Sequence, residues 1–460
     1  MNTSKNQSKS LLLTIIALAW PTMLEQLLQT AVQYADTAMV GSLGTEATAA
    51  VGSTTTVNWL IGSTISALGV GFLAFISKAH GAKEYEKARH AVSQAVLTVL
   101  IAGSFFTLLT LAVSSFIPAW MQVEEHLHRV SSIYFAILYV PMLARTASII
   151  FGTVLRAAGD TKTPMRVGLI VNLINVVLNF FFIYPTRHVN IFSVDILIPG
   201  AGWGVIGAAI ASAVAFAAGG IFITAAVFRH PYISPRGYTL KPDKTILIPC
   251  LRVAAPNALQ RFGTSLGYVV FAAMVNSLGD ISTAAHTIAN TVESAFYIPG
   301  YGMQTAAATL AGNAYGARDE KKLRELSKII LILEISLMII SGSALFLLAP
   351  QMMSLFSKDA QVILLGATVL RMVAVSEPFY GVSIVVEGMM QGMGNTVMPL
   401  ICNITGMWCI RIVGTFIFTQ IFNLGLVGAW ACMIAHNLAL FFMFAYYYVS
   451  GRFDPMRRKG

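Results

Sequence analysis

Apolar runs of about 20 residues recur from one end of the chain to the other, broken by short polar segments. Each run is long enough to cross a hydrocarbon core as a helix. No stretch alternates apolar and polar at period two, which excludes a membrane β-barrel. The pattern predicts about twelve helices, near 10–38, 47–75, 90–116, 130–155, 164–185, 203–228, 246–275, 282–310, 326–349, 361–389, 398–420 and 424–449. The opening "MNTSKNQSKS" is polar and mildly basic. The run after it holds Pro21 and Glu25 and has no small-residue cleavage site, so it reads as a retained first helix.

Composition agrees with this pattern. Of 460 residues, 56% are hydrophobic and 11% charged, against about 25% charged in soluble domains. The net charge of +10 is explained by where the basic residues fall. Of the 30 Lys and Arg, 23 lie in the N-terminus, the C-terminus, the loops after even-numbered helices and the helix ends beside those loops. Three lie on the other side (Arg129, Arg187, Lys358) and four within spans (Arg145, Arg261, Arg371, Arg411). Basic residues stay on the cytoplasmic side, so both termini are expected there, in a cytoplasmic (inner) membrane. The charge then needs no nucleic acid; it is an orientation signal with some affinity for anionic lipid. The four cysteines form no CxxC pattern and read as packing residues.

The chain also repeats itself. "MVGSLG" at 39–44 pairs with "MVNSLG" at 274–279, "HGAKEYEKAR" at 80–89 with "YGARDEKKLR" at 315–324, and "GDTKTP" at 159–164 with "GNTVMP" at 394–399. Pro21 pairs with Pro256, and every offset is 235. "WGVIGAA" at 203–209 pairs with "LGLVGAW" at 424–430 at a shorter offset, which gives the first half a longer loop before helix 6. An even number of helices per half makes the repeats parallel. The expected fold is an all-α polytopic membrane protein, with twelve transmembrane helices in two pseudo-symmetric six-helix bundles. Residues 1–228 form the first bundle, 229–245 a cytoplasmic linker and 246–460 the second bundle. Two such bundles suit alternating access.

Along nearly its whole length the sequence resembles multidrug and toxic compound extrusion (MATE) transporters. The resemblance rests on "YADTAMVGSLG", "AHGAKEYEKAR", "VLRAAGDTKTP", "AAHTIAN" and "TLAGNAYGARDEKKL", in that order. It implies a secondary exporter of organic, often cationic, compounds driven by a proton or sodium gradient. Asp36 stands where the family keeps an acid on helix 1. Asn175 and Asn179 match a helix 5 pattern that in DinF-type members is Asn followed four residues later by Asp. Ser212 on helix 6 stands where a hydroxyl residue helps that network. NorM-type members carry an acid on helix 7, and this chain has none between Lys244 and Gly279. The likeness is closer to DinF-type members.

The polar groups inside the spans support this reading on their own terms. Gln26, Gln29, Gln33 and Asp36 recur at steps of three, four and three, so they share a helix face. That face cannot point at lipid, where unpaired polar groups cost several kcal/mol. The glutamines read equally well as glue between helices; an intramembrane acid marks an ion or substrate path. At offset 235 the stripe becomes Arg261, Thr264, Tyr268 and Phe271, while Asn175 and Asn179 become Ile410 and Gly414. The acid and both amides vanish together in the second half, which points to one site in the first half. A lone carboxylate near the bilayer centre costs ~3 kcal/mol as the anion, so proton uptake and cation binding are both available to it. The coupling ion is H+ or Na+, with Gln33 and Ser212 beside the Asp36, Asn175 and Asn179 group. If the ion is sodium, Asp36, Asn175 and Asn179 are its ligands.

Five more acids lie in spans: Glu25, Glu293, Glu334, Glu377 and Glu387. With Asp36 they exceed the span arginines by two, which favours cationic substrates. Glu293 and Glu377 are candidates to bind substrate, or else to pair with Arg261 or Arg371. Tyr139 and Tyr268 are candidate cavity aromatics, with packing as the alternative. Glu334 and Glu387 read as structural. No Walker A loop, nucleophile elbow or HExxH appears, so neither enzyme nor cofactor is expected. The expectation is a monomeric antiporter for a small organic molecule in membrane lipid. A flippase for lipid-linked polyprenyl saccharides is the alternative, disfavoured by the acid excess.

Overall fold

The computed structural model describes residues 2–121, 123–191 and 194–457. Arg458 and Lys459, two of the basic residues assigned to the cytoplasmic side, lie outside the described residues. The helices of the first half are α1 (Asn2–Gly41), α2 (Thr45–Gly81), α3 (Tyr85–Val113), a short α4 (Ile117–Trp120), α5 (His128–Tyr139), α6 (Met142–Ala157), α7 (Lys162–Phe182) and α8 (Gly204–Arg229). Those of the second half are α9 (Lys244–Asn276), α10 (Asp280–Gly316), α11 (Glu320–Phe356), α12 (Ala360–Ala374), α13 (Glu377–Gly392), α14 (Val397–Ile404), α15 (Val413–Phe416) and α16 (Gly425–Val449). The chain is all-α and polytopic, apart from one hairpin. Among the described residues, eight helical stretches are long and apolar enough to span a membrane alone, one of them the run Val397–Ile421 that holds α14 and α15. α9 and α10 are long enough, at 33 and 37 residues, but less apolar.

Two predicted spans are broken helices. α5 and α6 meet at 50°, α12 and α13 at 55°. Pro141 caps α6, and Pro378 sits in the first turn of α13. Proline lacks an N–H and clashes with the preceding turn, so it ends one helix and starts the next. Pro21, Pro256 and Pro299 lie within continuous helices instead. The long loop expected before helix 6 contains an antiparallel pair, β1 (Pro185–Ile191) and β2 (Val194–Ala201).

Turn geometry repeats at the sequence offset. Gly44 and Gly279 have φ of 113° and 99°, Lys83 and Arg318 59° and 54°, and Gly159 and Gly394 87° and 79°. Glycine carries no Cβ and tolerates this region; the lysine and arginine hold it in tight turns after α2 and α10.

The residues form two compact units. One holds α1 up to Leu27, Leu73–Glu84 and the chain from Ile248 on; the other holds Leu28–Phe72 and Tyr85–Leu247. In the second, a Cβ at Gly220 of α8 would lie 2.5 Å from Ala144 of α6. In the first, Gly392 of α13 packs on the Ala308 carbonyl of α10. Small residues let helix backbones approach closely where lipid gives no hydrophobic drive. The segment between α8 and α9 is held on the start of α3. Gln94 donates to the Lys241 carbonyl and accepts from the Asp243 N–H, both at 2.9 Å, and Arg89 donates to the Pro231 carbonyl at 2.8 Å. Tyr238 donates to the Glu86 carboxylate, which raises the Tyr238 pKa. Asp243 accepts from the hydroxyl and N–H of Thr245, which lowers its pKa.

Candidate functional site

Asp36 lies near the C-terminal end of α1, half-buried, while Asn175 and Asn179 on α7 are 6% and 1% exposed. The two asparagines are four apart, so both amides leave one face of α7. Asn179 Nδ2 donates to Asp36 Oδ1 at 2.6 Å, a short bond of the charge-assisted kind. Ser212 on α8 closes the far side, with its Oγ 3.0 Å from the Asn175 amide nitrogen.

Asn175 has two useful orientations. In one, its Oδ1 faces the acid and accepts from Asn179 at 3.2 Å, while its nitrogen donates to Ser212. In the other, its nitrogen donates to both Asp36 oxygens at 2.8 and 3.1 Å, and its oxygen accepts from the Ser212 hydroxyl at 3.0 Å. The first suits a neutral acid, which can donate to the amide oxygen, or a cation held between oxygens. The second suits a bare carboxylate. Asn179 Oδ1 is buried and has no partner among the described residues. A buried acceptor without a donor is costly, and here it sits beside an acid. Asp36, the two amide oxygens and the Ser212 hydroxyl are hard oxygen donors, a set that fits a small cation.

Four of the five coupling-site candidates therefore form one network. Gln33 does not join it; its side chain is exposed. Residue 33 lies about 60° around the helix from residue 36, at 100° per residue. It shares the polar face without facing α7.

The substrate candidates fall in both units, Tyr139 in one and Arg261, Tyr268, Glu293 and Glu377 in the other. Tyr139 is fully buried and donates to Asn58 Oδ1 at 3.0 Å, which also accepts from Arg145 at 2.6 Å. Tyr268 is 45% exposed beneath the Arg411 guanidinium. Glu293 and Glu377 are both buried. Neither Arg261 nor Arg371 pairs with them among the described residues. Arg261 donates to Asn257 at 3.0 Å, and Arg371 reaches the Phe346 carbonyl. Glu387 accepts from Gln260 and Gln391 at 2.8 Å and from Asn403 at 3.1 Å.

Two span residues outside the candidate set, Glu334 and Arg411, are also buried. Glu334 is fully buried, and its carboxyl and that of Glu377 have no hydrogen-bond partner among the described residues. The Glu334 carboxyl fits because Gly300 and Gly381 face it; a Cβ there would lie 2.7 and 2.9 Å from Oε1. Those two glycines were the available signal.

A largely helical, many-span body with an acid–amide network between two of its helices fits a membrane transporter. The MatE family model matches residues 21–181 and again 256–417, and the chain belongs to that family. It is 26% identical over 440 residues to the probable multidrug resistance protein NorM of Thermotoga maritima, covering 96% of this chain and 92% of that one. It is 26% identical over 446 residues to the probable multidrug resistance protein YoeA of Bacillus subtilis, covering 93% and 91%. An outward-facing multidrug resistance MATE transporter matches with TM-score 0.88 at 25% identity, over 97% of this chain and 96% of its own. A Pyrococcus furiosus transporter of the MOP superfamily matches at the same score and identity, over 96% of each.

Proposed function

We propose that this chain is a secondary active antiporter that exports organic, cationic and amphiphilic compounds in exchange for H+ or Na+ by alternating access. The observation that carries the reading is the contact of Asp36 with two amides on one helix, one of which can present either its oxygen or its nitrogen. Proton or sodium uptake turns Asp36 into a group that needs the Asn175 oxygen; release turns it into one that needs the nitrogen. A buried site whose hydrogen bonds change partners with its charge links ion binding to the packing of α1 against α7.

The asparagine pair and the lack of an acid on α9 support a DinF-type over a NorM-type arrangement. The bias of basic residues supports a cytoplasmic membrane location with both termini inside. The halves at 1–228 and 246–460, joined by 229–245, are the bodies proposed to rock. Glu293 and Glu377 are proposed to attract the cationic substrate, and the protein to act as a monomer among lipids.

The test is export of a cationic dye from proteoliposomes under a proton gradient or a sodium gradient imposed separately. One gradient should drive export, and Asp36→Asn should lose it. Movement of a polyprenyl-linked saccharide, with no dye, drug or toxin expelled under either gradient, would replace this reading with a flippase.

A further inference from the structure

The second half carries its own version of the α1–α7 contact, with the charge reversed. Between α14 and the residues that follow, the second half takes up one residue more than the first. Residues Thr405–Ile412, which come directly after α14, form a π-helix, and a π-turn takes up one residue more than an α-turn.

Burial locates the shift. Residues 161–164 and 396–399 share one sequence of buried, exposed and half-buried positions at offset 235. Residues 173–179 and 409–415 match position by position at offset 236. The counterparts of Asn175 and Asn179 are thus Arg411 and Thr415, and not the Ile410 and Gly414 that a constant offset gives. All four of these side chains are buried. On α9, ahead of the π-turn, the offset is still 235, so Asp36 and Gln33 correspond to Phe271 and Tyr268.

Contacts agree with this register. The Arg411 guanidinium lies 4.5 Å from the Phe271 ring centre and 4.9 Å from that of Tyr268. It stands over the two residues that replace Asp36 and Gln33. Aromatic faces attract cations, most strongly when both are desolvated. Glu293 of α10 and His286 and His436 of α10 and α16 are the titratable groups within its electrostatic reach. Arg411 is 3% exposed, and among the described residues its Nε has no hydrogen-bond partner.

We propose that Arg411 is a tethered cation that permanently fills the second half's counterpart of the ion site. The first half offers an acid and amides to an exchangeable ion; the second offers aromatic faces already occupied by the protein's own guanidinium. This rests on the reading of Asp36 as the exchanging group. Arg411 is a positioning residue, and emptying its place should create a site for a small organic cation.

The probe is methylguanidinium, titrated calorimetrically into the full-length protein in lipid nanodiscs. Arg411→Ala should bind one equivalent, while the wild type binds none. The double variant Asp36→Asn, Arg411→Ala should bind it as well, so this readout stands apart from ion coupling. In proteoliposomes Arg411→Ala should lose export about tenfold or more, and methylguanidinium should restore most of it. If Arg411→Ala does not fold, Arg411→Lys and Arg411→Gln replace it, with the lysine variant exporting well above the glutamine variant. Failure of Arg411→Ala to bind methylguanidinium, export at the wild-type rate without it, or equal export by the Lys and Gln variants would overturn the proposal.

Discussion

The same helix pair is built twice in this chain, and the two copies handle charge in opposite ways. In the first half an acid meets two amides and a hydroxyl, and one amide oxygen has no donor among the described residues. In the second half two rings meet a guanidinium. The backbone frame is common to both; the chemistry is not. A repeated fold therefore does not imply a repeated site.

The comparison yields a ranked set of outcomes. The largest effect belongs to Asp36→Asn, which cannot release a proton or neutralise a cation. Ion-driven export should fall on the order of a hundredfold, the scale of losing hydrogen bonds to a charged group, as read from the initial rate of dye export. Next is Asn179→Ala, which removes the 2.6 Å donor. Losing a donor to the bare carboxylate favours proton uptake, so under a proton gradient the proton concentration at half-maximal export should fall by about tenfold or more. Its second-half partner Thr415→Ala should change that concentration by less than about threefold, within one weak hydrogen bond. Equal effects at 179 and 415 would break the asymmetry. Ser212→Ala should act mildly, at ~1 kcal/mol, because it touches Asp36 only through Asn175. Gln33→Ala should be smallest, with export unchanged, since that side chain stands outside the network.

Much of this was legible before coordinates. The helices, their repeat and the singling out of Asp36 come from hydropathy, spacing and the cost of a carboxylate in lipid. The Asn175 and Asn179 pair was legible because residues four apart share a face. Gln33 was not, since a stripe defines a face only to within an arc, and the neighbouring helix contacts one edge of it. The breaks at Pro141 and Pro378 are invisible to a hydropathy count that bridges both. The π-turn was hidden for a related reason. One inserted residue leaves the apolar pattern intact and only shifts the register of the residues after it, so Arg411 looked like a stray span charge. The enclosure of Glu334 was not legible, because it depends on glycines from α10 and α13, which lie far apart in sequence.

The most direct test of the central claim is infrared spectroscopy of the carboxyl stretch in purified wild type and Asp36→Asn. The account predicts one carboxylic acid band that disappears as pH rises or sodium is added, and that is missing from the variant. An identical set of titrating bands in both proteins, with cation-driven export intact in the variant, would contradict it.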